Sequence, residues 1–278
     1  MEAFRLLNIE LQKLRYNKAA KVISIIYFVL ITFIALIASI EFNFGDFHFR
    51  VADQGIFNFP FIWHFNSYIA AILKIFLAIV IVSMMSNEYS YNTLKQNLID
   101  GLSKKEFVLS KFYTVILFSG ISTIFVFIVS LILGLIFSDY KEIGIIFSGL
   151  EYIAAYFLKL VAFFSFCLFL GVLVKRSAFA LGFLIVWNIV EGIAYGLMRW
   201  EFESATAENI VQVFPLQAMA NLIIEPFTRL GVIQTAATQL GEQITKTYTV
   251  GILPVIFSIL WTVFFVYGSY WILKRRDL

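Results

Sequence analysis

The sequence predicts an all-α integral membrane domain with six transmembrane helices, and three observations predict it. Hydrophobic residues make up 61% of the chain and charged residues 14%, whereas soluble domains run at about 45–50% apolar and about 25% charged. Windows of about twenty apolar residues recur, each long enough at about 1.5 Å per residue to cross a hydrocarbon core of about 30 Å. Runs such as Ile116 to Ile136 and Val161 to Val174 are apolar on every face. In lipid every backbone amide must pair within the protein, so such runs are helices; the period-two alternation of a barrel strand is missing.

The spans fall near 22–40, 67–86, 107–137, 150–174, 178–199 and 251–273. The third exceeds the length a crossing needs, so it is expected to tilt or project. The first is expected to be retained, because a long amphipathic segment precedes it and no small-residue cleavage site follows. Orientation follows from the basic residues. With the N-terminus inside, the inner segments carry Arg5, Lys13, Arg15, Lys18, Lys21, Lys95, Lys104, Lys105, Lys111, Lys175, Arg176, Lys274, Arg275 and Arg276. The outer ones carry Arg50, Lys141, Arg199, Arg229 and Lys246. Both termini are therefore expected on the cytoplasmic side. The formal charge of +3 does not call for a nucleic-acid partner, and membrane lipids account for where the basic residues lie.

The connections differ in character. Lys175, Arg176 and Ser177 form a tight inner turn that makes spans four and five antiparallel neighbours. The outer loop over 200–250 holds Pro215 and Pro226 around Leu216 to Ile224, a stretch too short to span, which reads as an interfacial or re-entrant helix pair broken at the prolines. In the first outer loop, 41–66, Phe57, Phe59, Phe61, Trp63 and Phe65 alternate, as in a strand-like or headgroup-level segment. No repeat of 20–50 residues is evident, so 1–278 reads as a single domain.

Over 1–20, Phe4, Leu7, Leu11 and Leu14 recur at helical spacing with Arg5, Lys13, Arg15 and Lys18 around the rest of the wheel, predicting an amphipathic helix on the inner leaflet. The inner loop over 88–105 is the most informative stretch. After Glu88, Asn92 and Thr93 can cap or turn into a short helix whose Leu94, Leu98 and Leu102 repeat every four residues; Gly101 ends it, beside Asp100. A solvated loop has no use for that leucine stripe. A short amphipathic helix held between two spans suits docking into a groove on a cytosolic partner.

An acidic residue leaving span two, an Asn-Thr-Leu turn, a short helix and Ser103-Lys104-Lys105 leading into span three resemble the inner loop of ABC type-2 exporter permeases. The resemblance runs over the whole chain: N-terminal elbow helix, six spans, coupling helix after span two, long outer loop before span six, and the basic tail from Lys274 to Leu278. Family members commonly carry Gly at the position of Asn92, and Asn also tolerates left-handed backbone angles. The resemblance implies a membrane permease working as a dimer, with a second copy or a related permease, coupled through Glu88, Asn92, Thr93, Leu94, Leu98, Asp100, Gly101 and Leu102 to a separate ABC ATPase subunit. The chain has no G-x-x-x-x-G-K-[ST] loop, so ATP and Mg are expected on that partner and no cofactor or catalytic residue on this chain. A bacterial inner membrane is the expected location. The competing class is a secondary transporter driven by an ion gradient, which would favour inverted repeats and midplane carboxylates.

Ionisable residues inside spans need an explanation. Lys74, Lys159 and Glu191 fall at similar depths in the outer half of spans two, four and five. They are expected either to meet, with Lys74 or Lys159 pairing Glu191, or to snorkel separately. Gly192 and Gly196 form a G-x-x-x-G on span five, able to bring helices close within the protomer or across a dimer. Cys167 reads as a small buried hydrophobe. His48 and His64 read as surface polar residues, so no metal site is expected.

Overall fold

The computed structural model describes residues 2–44, 47–50, 54–202, 204–240 and 246–276. In chain order come α1 (Glu2–Tyr16), α2 (Lys18–Ser39), a short antiparallel hairpin of β1 (Glu41–Phe44) and β2 (Phe47–Arg50), α3 (Phe61–Ser90), α4 (Thr93–Ile99) and α5 (Lys104–Phe137). There follow α6 (Ile143–Ile146), α7 (Glu151–Val174), α8 (Ser177–Glu201), α9 (Ser204–Val211), α10 (Pro215–Ala220), α11 (Gly231–Gln239) and α12 (Ile252–Arg275). Among these, α2, α3, α5, α7, α8 and α12 are long and apolar enough to cross a membrane. The chain is a multi-pass helical membrane protein, and the hairpin is the departure from all-α among the described residues.

α7 is the hub. It packs against α3, α5, α8, α10 and α12, and 72% of its most apolar stretch is buried, against 17% for α8. The difference follows from sequence: a helix apolar all round can be enclosed by others, and α7 has small residues where neighbours come nearest. A Cβ on Gly171 would lie 2.8 Å from the Cβ of Met85 in α3. Inside the bundle, Tyr27 of α2, Ser122 of α5 and Tyr156 of α7 close a buried ring of hydroxyls at 2.5–2.8 Å. Each can donate once and accept once, so three spans are tied with no orphaned group.

The aromatic run departs from expectation. Phe61, Trp63 and Phe65 belong to the first turns of α3, and Phe57 and Phe59 sit in the preceding turns. None forms a strand, and Phe57, Phe59 and Trp63 are fully enclosed in a second apolar cluster with Leu133 and Ile146. Gly134 of α5 makes room for this cluster, because a Cβ there would collide with the edge of the Phe59 ring. Gly134→Ala is therefore expected to cost about 1–3 kcal/mol, read as a lower unfolding midpoint in detergent and partly restored by Phe59→Leu. An unchanged midpoint would mean that α5 and the ring are not packed this closely.

The end of the bundle carrying α1, α4 and the Lys175–Arg176 turn is the basic end. Lys175 adopts left-handed angles (φ 64°) at the turn between α7 and α8. Arg276, following α12, donates to the Val172 and Leu173 carbonyls at 2.5 and 2.9 Å, supplying partners at the C-terminus of α7. α5 begins with a capping box in which Ser103 and Glu106 satisfy each other's backbone amides.

Candidate functional site

At the basic end four charged side chains from three helices converge. Glu10 and Lys13 come from α1, Glu88 from the last turn of α3, and Lys111 from the second turn of α5. Lys111 pairs with Glu88 and, at 2.6 Å, with Glu10; Lys13 reaches Glu88 at 2.7 Å and Glu10 at 3.4 Å. Glu10, Glu88 and Lys111 are almost wholly buried, and the two carboxylates balance the two ammoniums. The second Glu88 oxygen accepts from Thr93 Oγ1 at 2.6 Å and from Asn97 Nδ2 at 3.4 Å, both in α4. Removing one member of such a set leaves an uncompensated buried charge, so this cluster fixes α1, α3, α4 and α5 relative to one another.

Two sequence expectations change here. The face of α1 that turns inward is Leu6, Glu10 and Leu14, while Phe4 and Leu11 stay exposed. The apolar stripe of Phe4, Leu7, Leu11 and Leu14 does not describe its packing, because a buried carboxylate with cationic partners counts as core. The leucine stripe of α4 is likewise turned inward: Leu94 is 2% exposed, and Leu98 and Leu102 pack against the main core. It attaches α4 to its own bundle and cannot also fill a groove elsewhere. The outward face is made by Tyr91, Lys95, Gln96, Ile99 and Asp100, with Tyr91 74% and Ile99 84% exposed. Asn92 adopts left-handed angles (φ 55°) with no side-chain cap, so it makes the turn, and Gly101 (φ 98°) reverses the chain after the helix. A hollow of about 650 Å³ opens between α1, α2 and α3 beside Glu10, Lys13 and Glu88.

Nearer the opposite end, the expected ion pair of Glu191 with Lys74 or Lys159 is not formed. Glu191 accepts from the backbone amides of Leu216 and Gln217, at 3.2 and 3.0 Å, and from Trp187 Nε1 at 2.6 Å. Lys159 donates to the carbonyls of Ala220 and Ile223 at 3.2 and 3.4 Å. The anion thus sits at the N-terminus of α10 and the cation at its C-terminal end, each matched to the helix dipole. The two residues act on the same short helix from its two ends. Side-chain spacing along the spans points to a partner side chain, whereas the partners are mostly backbone groups that only the fold brings near. Glu191 lies ten residues, roughly 15 Å along the axis, from the end of α8, so α10 reaches back among the spans. Trp261 of α12 holds the same segment by donating to the Val213 carbonyl at 2.8 Å.

Lys74 lies thirteen residues into α3, deeper than expected because α3 starts earlier. Its ammonium rests 4.6 Å from the centre of the Phe163 ring. Lys74 and Lys159 line one groove of about 410 Å³ with Asn188, Asn221 and Glu225. At its rim Glu225 accepts from Thr228 and from Lys246 at 2.8 Å. Partial burial works against the charged form of Glu225, but these donors hold its carboxyl below the ordinary value.

His64 is buried rather than a surface residue. Its ring stacks on Tyr152 at 4.3 Å. Nε2 donates to the Ile224 carbonyl at 2.7 Å, which leaves Nδ1 to accept from Arg229 at 3.1 Å. The side chain of His48 lies outside the described residues. A Cβ on Gly192 or Gly196 would meet nothing within 4 Å, so that G-x-x-x-G does not bring helices together within the protomer. Cys167 is fully buried with its thiol free.

No curated protein matches the chain. Residues 25–278, from within α2 to the C-terminus, match the model of a family described as "Protein of unknown function (DUF2705)". Five whole spans, most of α2, the α4 surface and the α10 cradle lie within that match, and the chain belongs to the DUF2705 family.

Proposed function

We propose that this chain is the permease subunit of an ATP-driven ABC exporter, forming the substrate pathway as a dimer and coupled to a separate ATPase. The observation that carries the reading is α4. It is a short helix between two spans with an outward face of Tyr91, Lys95, Ile99 and Asp100, rooted through Thr93 and Asn97 in a buried charge cluster that reaches α1, α3 and α5. A push on such a helix passes to three others without first deforming a loop. In this reading the basic end is cytoplasmic, the membrane is a bacterial inner membrane, α1 is the elbow helix, and ATP and Mg belong to the partner. The exposed apolar stripe of α8 formed by Phe179, Phe183, Val186, Val190 and Ile193, and its open Gly192 and Gly196, serve the second permease copy.

The test is to purify the tagged chain from its native host in mild detergent, identify stoichiometric co-purifying proteins and assay ATPase activity. An ATP-binding subunit should accompany the wild type, and Ile99→Asp with Lys95→Glu should reduce its recovery at least about tenfold. Leu94→Ala should instead lower the permease's own unfolding midpoint, since Leu94 faces inward. A chain that purifies alone, without ATPase activity under several extraction conditions, would favour a gradient-driven carrier.

A further inference from the structure

We propose that the Lys74–Lys159 groove is a binding site for an anionic phospholipid, the headgroup taken by the two lysines and an acyl chain by the trough beneath them. The proposal is independent of what docks on α4. Three observations converge.

The first is charge. Among the described residues neither lysine forms an ion pair. Lys159 spends its ammonium on two backbone carbonyls, and Lys74 contacts an aromatic face. The nearby carboxylates are committed elsewhere, Glu191 to α10 and Glu225 to Thr228 and Lys246. Two lysines within spans, with the groove's carboxylate Glu225 already paired to Lys246, are expensive to keep charged in a low-dielectric setting, a cost that a negative ligand offsets.

The second is shape. The groove of about 410 Å³ is continuous with a trough of about 300 Å³ between α3 and α8, the two sharing Ile72, Lys74, Phe163, Asn188 and Leu216. The polar chamber holds both lysines with Asn188, Asn221 and, paired to Lys246, Glu225; the trough adds Ile75, Leu184, Ile185 and Ile189. A headgroup and its chain need that sequence of surroundings.

The third is access. Ile72, Ile75, Ile185 and Ile189 are 39–59% exposed on the outside of the spans, so the trough opens sideways, where acyl chains are. A water-soluble anion would gain nothing from it.

The probe is 16:0–18:1 phosphatidylglycerol, titrated into the full chain in dodecyl maltoside, with thermal unfolding followed by tryptophan fluorescence and bound lipid counted by native mass spectrometry. The wild type should gain a saturable rise in midpoint and retain one phosphatidylglycerol, while phosphatidylcholine of the same chains should give neither. Among the described residues Lys74 makes no protein hydrogen bond, so Lys74→Met should fold and bind about tenfold more weakly, the scale of one charge-assisted contact. Lys74→Arg should recover binding. Lys18→Gln with Lys21→Gln, at the basic end, should leave the shift intact. Dodecyl phosphate should compete and inorganic phosphate should not. Wild-type binding by Lys74→Met, loss of the shift in the basic-end variant, or equal competition by inorganic phosphate would each overturn the site; the last would make it a free-anion site.

Discussion

Lys111→Met is expected to cost about 3–5 kcal/mol, the scale seen when one partner is removed from a buried ion pair. Total stabilities are often only about 5–15 kcal/mol, so the variant should lose most of its monodisperse peak in size-exclusion chromatography after solubilisation. The reason lies in the geometry. Without the Lys111 ammonium, Glu10 and Glu88 face each other in a buried space with only Lys13, one-third exposed, to balance both. Adding Glu10→Gln leaves Glu88 opposite Lys13, a balanced pair, and should restore much of the peak. That rescue separates a charge imbalance from a simple loss of packing, which a second substitution would deepen. A Lys111→Met variant as stable as wild type would remove the cluster from the account of how α4 is held.

Trp63→Ala should be comparably severe, with about 3–5 kcal/mol lost to the cavity and the lost burial. Trp63 is fully enclosed, stacks on Phe127 of α5 with centroids 5.2 Å apart, and donates from Nε1 to the Ile146 carbonyl of α6 at 2.8 Å. Trp63→Phe keeps most of the ring and leaves that carbonyl without its donor, so its cost should be near 1–3 kcal/mol. The ordering Ala below Phe below wild type, measured as thermal midpoints in one detergent, checks the assignment. Equal midpoints for the two variants would mean that the hydrogen bond, and not the packing, is what Trp63 supplies.

The six spans are legible because a crossing helix needs about twenty apolar residues whatever its neighbours are. α7 and α12 begin and end within two residues of their expected limits. The start of α3 is not legible at that level. His64 and Asn66 interrupt the apolar run, although each is satisfied in place, His64 by a carbonyl and Asn66 by Ser130 at 2.9 Å. The short helix after α3 is read from its leucines, but the face it presents is not. A four-residue repeat says that one side is buried and does not say against what. Lys13 and Lys111 count in the sequence only as basic residues near a membrane face. Their shared partner, Glu88, is 75 positions from one and 23 from the other, and separations of that kind carry no local pattern. Glu191 and Lys159 stand out as costly charges, yet the backbone groups they serve carry no side-chain signature.

The α10 arrangement has a mechanical consequence. Of the residues in α8, Ala180, Leu184 and Glu191 are the buried ones, so this span is the least buttressed of the six. A short turn at Lys175–Arg176 joins it to α7, and Glu191 is a latch engaged on a bar that α7 holds by the other end through Lys159 and α12 holds through Trp261. Swinging α8 away from α7 must either release the carboxylate into lipid or drag the bar along. Releasing it exposes two amides and a charge at once, whereas dragging the bar along must break its hold on α12 at Trp261 and on α7 at Lys159.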